Sequence, residues 1–232
     1  MEFPELQKGS FGGQPIDAEP VTGGEMKALD RHAIEVMGMS SLVLMERAAL
    51  AAVEALFEQE FDLRRVLCVC GAGNNGGDGF AAARLLRLRS VPVRALFVGS
   101  IEKMTEDTAR QRTIAENYGV EIADNDLTLF TQGAAYTTIV DALFGIGGDR
   151  PLTGIYLDAV QQINRSRSEG LTKILSLDIP SGVSADTGAI LGEAVRADVT
   201  VTFAFNKIGL TVEPGKTCAG KTVVRDIGIY RR

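Results

Sequence analysis

The sequence predicts an α/β fold, with helices on both faces of a mainly parallel sheet, and three observations predict it. Short apolar runs alternate with helical patterns along most of the chain, the order expected where a helix returns each strand to the next parallel one. One stretch, Arg65-Val-Leu-Cys-Val-Cys-Gly-Ala-Gly-Asn-Asn-Gly-Gly-Asp-Gly-Phe80, reads as strand, glycine turn and helix, the opening unit of such a sheet. Unusual polar residues collect after three predicted strands, at 71–78, 141–154 and 178–182. In a parallel sheet those strand ends share one edge, where ligands bind.

A chain of 232 residues suits one α/β domain, placed at 22–232. Residues 1–21 carry Gly9, Gly12, Gly13 and three prolines without period and read as a flexible arm. Thr22-Gly-Gly-Glu25 is a capping-box pattern that opens a helix to about Met37, stopped by Gly38. Ser40-Ser41 caps a second helix to about Gln59. Its residues 42–45, 48–53 and 55–57 are apolar on nearly every face, so it is expected to be buried on more than one side, within the chain or at a homodimer interface. The opening unit follows, with a strand at 66–70, a loop at 71–78 and a helix from Phe80 to Arg89. Strand 93–98, helix 105–118, a short strand near 120–122, strand 136–140 ending in Asp141, helix 155–167, and strands 173–177, 198–203 and 222–225 complete the chain. The segment 124–134 is ambiguous.

Composition narrows the function. The net charge of −6 and the lack of a basic tract argue against nucleic acid. His32 is the only histidine, which rules out assembling Ser-His-Asp or Cys-His machinery or a histidine-rich zinc site; it reads as structural. Cys68 and Cys70, on one face of a buried strand, and Cys218 make no disulfide framework, so a reducing, cytoplasmic setting is expected. The most apolar helical stretch is interrupted by Glu46 and Arg47, and no membrane association is expected.

Gly71-Ala-Gly73-Asn-Asn-Gly76 matches the dinucleotide pattern G-x-G-x-x-G, a weak signal alone. The ribose-binding acid is missing, because strand 93–98 runs into Gly99-Ser100, and no Lys-Ser/Thr pair follows the glycines to make a Walker loop. Asp78 is expected at the helix start, stabilised by the dipole, or as a simple N-cap. Asn74, Asn75, Asp78, Asp141, Asp149, Asp178 and Ser181 can converge at the sheet edge, a set of oxygens suited to proton transfer or a hard cation. Ser181 lacks the elbow motif and base of a hydrolase nucleophile. Lys207 could contact a phosphate but reads as a solvated surface lysine.

Gly73-Asn-Asn-Gly-Gly-Asp-Gly79, Asp141-Ala-Leu-Phe-Gly-Ile-Gly147, Leu177-Asp-Ile-Pro-Ser-Gly182 and Asp226-Ile-Gly-Ile229 resemble, in order, the signature segments of the YjeF N-terminal domain family, the NAD(P)HX epimerases. The stretches Leu44-Met-Glu-Arg-Ala48 and Lys207-x-Gly209 are similar too. The resemblance implies a Rossmann-like three-layer αβα sandwich, typically a homodimer. It implies epimerisation of the R and S forms of hydrated NADH or NADPH, hydroxylated at C6 of the nicotinamide ring, with potassium (K+) in the site. By motif position Asn75, Asp141 and Ser181 would hold the potassium. Asn74, Asn75, Gly76, Gly77, Asp78, Gly145, Ile146, Gly147, Gly148, Asp149, Arg150, Pro151 and Asp178 would contact substrate. Asp178 is the expected acid–base group. The family's functional partner is an NAD(P)HX dehydratase, here expected on a separate chain or lost by truncation. Rival readings are a non-catalytic interaction domain of the same fold, which has no need of these acids, and an ordinary dehydrogenase, disfavoured by the missing ribose acid.

Overall fold

The structure, a computed structural model, describes residues 19–231 apart from 132, 134, 149 and 171. Most of the expected arm, residues 1–18, therefore lies outside the described residues. Seven strands form one sheet: β1 (Val66–Cys70), β2 (Val93–Phe97), β3 (Glu121–Asp124), β4 (Thr138–Ala142), β5 (Lys173–Leu177), β6 (Val199–Phe203) and β7 (Lys221–Arg225). Their order is β3-β2-β1-β4-β5-β6-β7. The expected mainly parallel sheet is parallel at every pairing. The chain reverses its direction of travel across the sheet between β1 and β4, the switch point at which open α/β sheets bind ligands.

Side-chain alternation along β1 separates the two faces. Val66, Cys68 and Cys70 enter the larger core cluster with residues of α2 (Ser41–Glu58), α3 (Asn74–Leu88) and α4 (Glu106–Asn117). Leu67 and Val69 enter the other, with Ala159, Val160 and Ile163 of α5 (Ile155–Ser168). Helices on both faces make the three layers. The helix α2 packs on α3, β6 and β7, which accounts for most of its apolar circumference and leaves Val43 and Phe57 46% and 49% exposed. No helix among the described residues is long and apolar enough to cross a membrane.

The N-terminal helix α1 (Gly23–Arg31) starts at the expected capping box, Thr22 with Glu25. It continues as a π turn, His32–Val36, and the chain leaves the helical path at Gly38, φ +75°. Ahead of it, fully buried Val21 bridges Lys207 and donates its N–H to Asn206 O at 2.9 Å. The ambiguous segment 124–134 contains a 3-10 turn, Leu127–Phe130. A short helix α6, Gly215–Ala219, precedes β7.

One boundary differs with consequences for the site. The helix expected from Phe80 begins at Asn74, with Gly73 as its N-cap. Each glycine costs a helix interior about 1 kcal/mol against alanine, which is why the sequence reads as loop. Close packing overrides that penalty. A Cβ on Gly76 would lie 1.8 Å from Gly71 O, and one on Gly79 2.5 Å from Ala142 Cβ and 2.7 Å from Cys70 Sγ. The glycines let α3 sit directly on the ends of β1 and β4, so Asn74 and Asn75 occupy its first turn.

Candidate active site

A cavity of about 480 Å³ opens at the carboxyl edge of the sheet beside that switch point. The first turns of α3 supply Asn74, Asn75 and Asp78; the loop after β4 supplies Leu143 to Gly148; the bend after β5 supplies Asp178. The helix α1 adds Met26, Lys27 and Asp30, and α2 adds Leu44, Met45 and Ala48. Three of the loops expected to converge do so. Within them, Gly76 and Gly77 face inward to Gly71 and Met45 rather than the cavity. Pro151 sits beside Gly192, outside the cavity lining with Arg150. Asp149 lies outside the described residues.

Asp141 is placed one layer deeper than expected. It lies within β4, opposite Val69 and Ser176, and is fully buried. Its Oδ2 accepts from Ser176 Oγ at 2.8 Å and Ser181 N at 2.9 Å; its Oδ1 accepts from Ser181 Oγ at 2.6 Å and Leu143 N at 3.3 Å. Ser181 Oγ also accepts from Phe144 N at 2.9 Å, tying the acid to the cavity loop. Burial pushes the Asp141 carboxyl up, and these donors only partly pull it back. Every donor is neutral, so the ionised form has no counter-charge in contact. Asn75 is 8% exposed, and both amide atoms of its side chain are buried without a hydrogen-bond partner, a costly state that a ligand would relieve. Amide oxygen, carboxylate and hydroxyl are hard oxygen donors, the kind of ligand a monovalent cation takes. Among the described residues no cluster of His, Cys, Asp or Glu suits a metal bound by those side chains alone.

Asp178 closes β5 with a left-handed backbone, φ +66°, held by Asp178 N donating to Val201 O at 2.7 Å. Aspartate tolerates that region better than most residues. Its Oδ1 receives Lys207 Nζ at 2.5 Å. The expectation of a solvated surface Lys207 is overturned: the residue is 1% exposed, and its ammonium also donates to Thr202 Oγ1 and Phe203 O, both at 2.9 Å. An ammonium so desolvated needs its three donors filled and a carboxylate beside it.

Asp78 is corrected as well. It sits one turn inside α3, not at the N-cap, and burial pushes its carboxyl well above the ordinary range, helped by the charges of Asp178 and Asp30. The expected stabilisation by the dipole is outweighed by desolvation. Asp30, which sequence reading missed, is half-buried, and burial and then the Asp178 charge lift it to about 6 against the pull of Lys207. Raised above its unfolded value near 3.9, this group withdraws stability as pH climbs from there through about 6. A signal existed. Met26, Leu29, Asp30 and Ala33 fall on one helical stripe, and Met26 and Ala33 are core residues, so an acid on that stripe points inward.

A doubly wound α/β protein with a carboxylate-lined ligand cavity at the strand ends is the class these features define. The chain belongs to the YjeF-related protein N-terminus family, whose model matches residues 41–209. A Levilactobacillus brevis protein named NAD(P)H-hydrate epimerase is 44% identical, over 92% of this chain and 95% of its own. One of the same name from Oenococcus oeni is 47% identical, over 87% and 92%. The crystal structure of yeast ynu0 shares the fold with a TM-score of 0.76 at 22% identity, over 90% of this chain and 88% of that one.

Proposed function

We infer that this chain is an enzyme, an NAD(P)H-hydrate epimerase that interconverts the R and S forms of hydrated NADH and NADPH. The observation that carries this is the 44–47% identity, across nearly the whole chain, to proteins of that name. The cavity is consistent with it. The first turn of α3 presents backbone N–H groups and the Asn74 and Asn75 amides to a polar ligand. The apolar wall of Met26, Leu44, Met45 and Ala48 suits a ring and limits water at the reacting carbon. The C6 hydroxyl of the hydrated ring is activated by the adjacent nitrogen, whose lone pair helps expel it once its oxygen is protonated. Water returning to the other face of the iminium inverts the centre; we assign the acid–base role to Asp178, and its position in the cavity lining supports that. Neither the relatives nor the cavity favours the non-catalytic reading of the fold. The test is to add the purified chain to an epimer mixture with an S-specific dehydratase. The R form is expected to be consumed faster; no acceleration overturns the assignment.

The reading extends to potassium, held by Asn75, Asp141 and Ser181, where it would supply the positive charge that the buried Asp141 lacks. The orphaned Asn75 amide supports this. A rubidium soak is expected to give an anomalous peak among these three side chains; a peak elsewhere, or none, refutes it. It extends also to a cytoplasmic homodimer that works with a separate dehydratase, with the exposed Val43 and Phe57 of α2 supporting the dimer.

A further inference from the structure

Inversion at C6 has a geometric demand that one acid does not meet. The hydroxyl leaves from one face of the ring with a proton given to its oxygen, and water arrives at the opposite face and gives up a proton. A ring held still needs a proton donor on one side and an acceptor on the other. Carboxyls line the cavity from three elements: Asp178 after β5, Asp78 on α3 and Asp30 on α1. Asp178 stands at the sheet edge with Lys207 on its Oδ1 at 2.5 Å, an arrangement suited to an acceptor. Asp30 enters from α1, one turn beyond Met26, and lines the same cavity; its carboxyl accepts no hydrogen bond among the described residues. Its carboxyl is thus held inside the cavity by the helix alone.

Building on the epimerase reading, we propose that Asp30 is a second catalytic acid–base residue, acting on the ring face opposite Asp178. In one direction Asp30 gives its proton to the C6 oxygen; the C–O bond breaks, water leaves, and the nitrogen lone pair forms the iminium. Water then adds to the other face, the C–O bond forms, and its proton passes to Asp178. One proton has moved from Asp30 to Asp178; before the next turnover Asp178 releases it to water and Asp30 takes one up from water, so the pair needs no oxidant or co-reactant. The groups that face Asp30 support a proton being held there. Asp178 and Asp78 repel its negative charge from β5 and α3, Lys207 attracts it from beyond β6, and Lys27 lies one turn earlier on α1. Together with burial they leave it titrating at about 6.

Asp30→Asn keeps the shape but cannot donate a proton. Its kcat is expected to fall by about 10²–10⁴-fold, with KM within a few-fold. For the parent, kcat/KM is expected to decline as pH rises through about 6, and this limb should vanish in the variant. In ¹⁸O-enriched water each inversion by the parent should replace the C6 oxygen. An Asp30→Asn enzyme within a few-fold of the parent in kcat overturns the proposal, as does a loss carried by KM alone or a parent profile flat through that pH. If the parent itself gives no acceleration, the epimerase reading fails instead. Removing a carboxyl raised by burial should not lower Tm at pH 7.5. Should Asp30→Asn unfold, Asp30→Glu decides. A folded Glu variant retaining the alkaline limb supports the proposal, and one lacking it overturns it.

Discussion

Asp178→Asn is expected to slow epimerisation by about 10²–10⁴-fold, the usual loss when general acid–base help is removed. The structure adds a second effect that the side chain's chemistry alone does not suggest. Lys207 is 1% exposed and meets Asp178 at 2.5 Å, so the amide leaves a buried ammonium without its carboxylate. Breaking a buried pair from one side costs about 3–5 kcal/mol, and Tm should drop accordingly. The two effects separate in a double variant. Adding Lys207→Met removes the stranded charge with little change of shape, and should recover most of the stability and none of the activity. Turnover by Asp178→Asn within a few-fold of the parent would leave Asp178 a positioning residue only, and move the search for its partner to Asp78 or a bound water.

Gly76→Ala should damage the protein through geometry alone. The added methyl would sit 1.8 Å from Gly71 O and 2.7 Å from Gly71 C. Both obstacles are backbone, so the first turn of α3 or the end of β1 must move. Overpacking costs about 1–3 kcal/mol and sometimes more. The displaced turn carries Asn74 and Asn75, and a misplacement of about 1 Å can lower the rate 10²-fold. Gly73→Ala is the control for stability, since a methyl there meets nothing within 4 Å and its φ is −82°. Melting curves for the two variants check this; equal losses of Tm would refute the packing account of the glycines.

The layer order, the strands and the edge on which the site lies were legible because each depends on local pattern. The apolar run of five at β1 and the mostly apolar Ile174 to Leu177 of β5 are short and flanked by turn residues, and so read as strands. The capping box at Thr22 was legible for the same reason. What escaped was set by distant contacts. The start of α3 was hidden because glycine weakens helices locally, and only Gly71, Ala142 and Cys70 explain why glycine is required. Lys207 was read as solvated because lysine is seldom buried; its partner lies 29 positions away. Asp30 lay on the inner stripe of an amphipathic helix, yet nothing local says that the stripe faces a cavity rather than a dry core. Asp78 was placed at the helix start because the helix boundary itself was misplaced by a turn and a half.

The strand order β3-β2-β1-β4-β5-β6-β7 also bears on how the chain emerges during synthesis. Taken in chain order, every strand after β1 joins an edge that is still open, and none has to be threaded between two strands already paired. A nascent chain can therefore build its sheet outward as it is made, N-terminal residues first. The catalytic edge follows a different clock. Val21, made before any strand of the sheet, stays without its partner until Lys207 appears, and the same lysine completes Asp178. Until Lys207 has been made, a well-paired sheet of β1 to β6 can exist whose cavity is not yet closed.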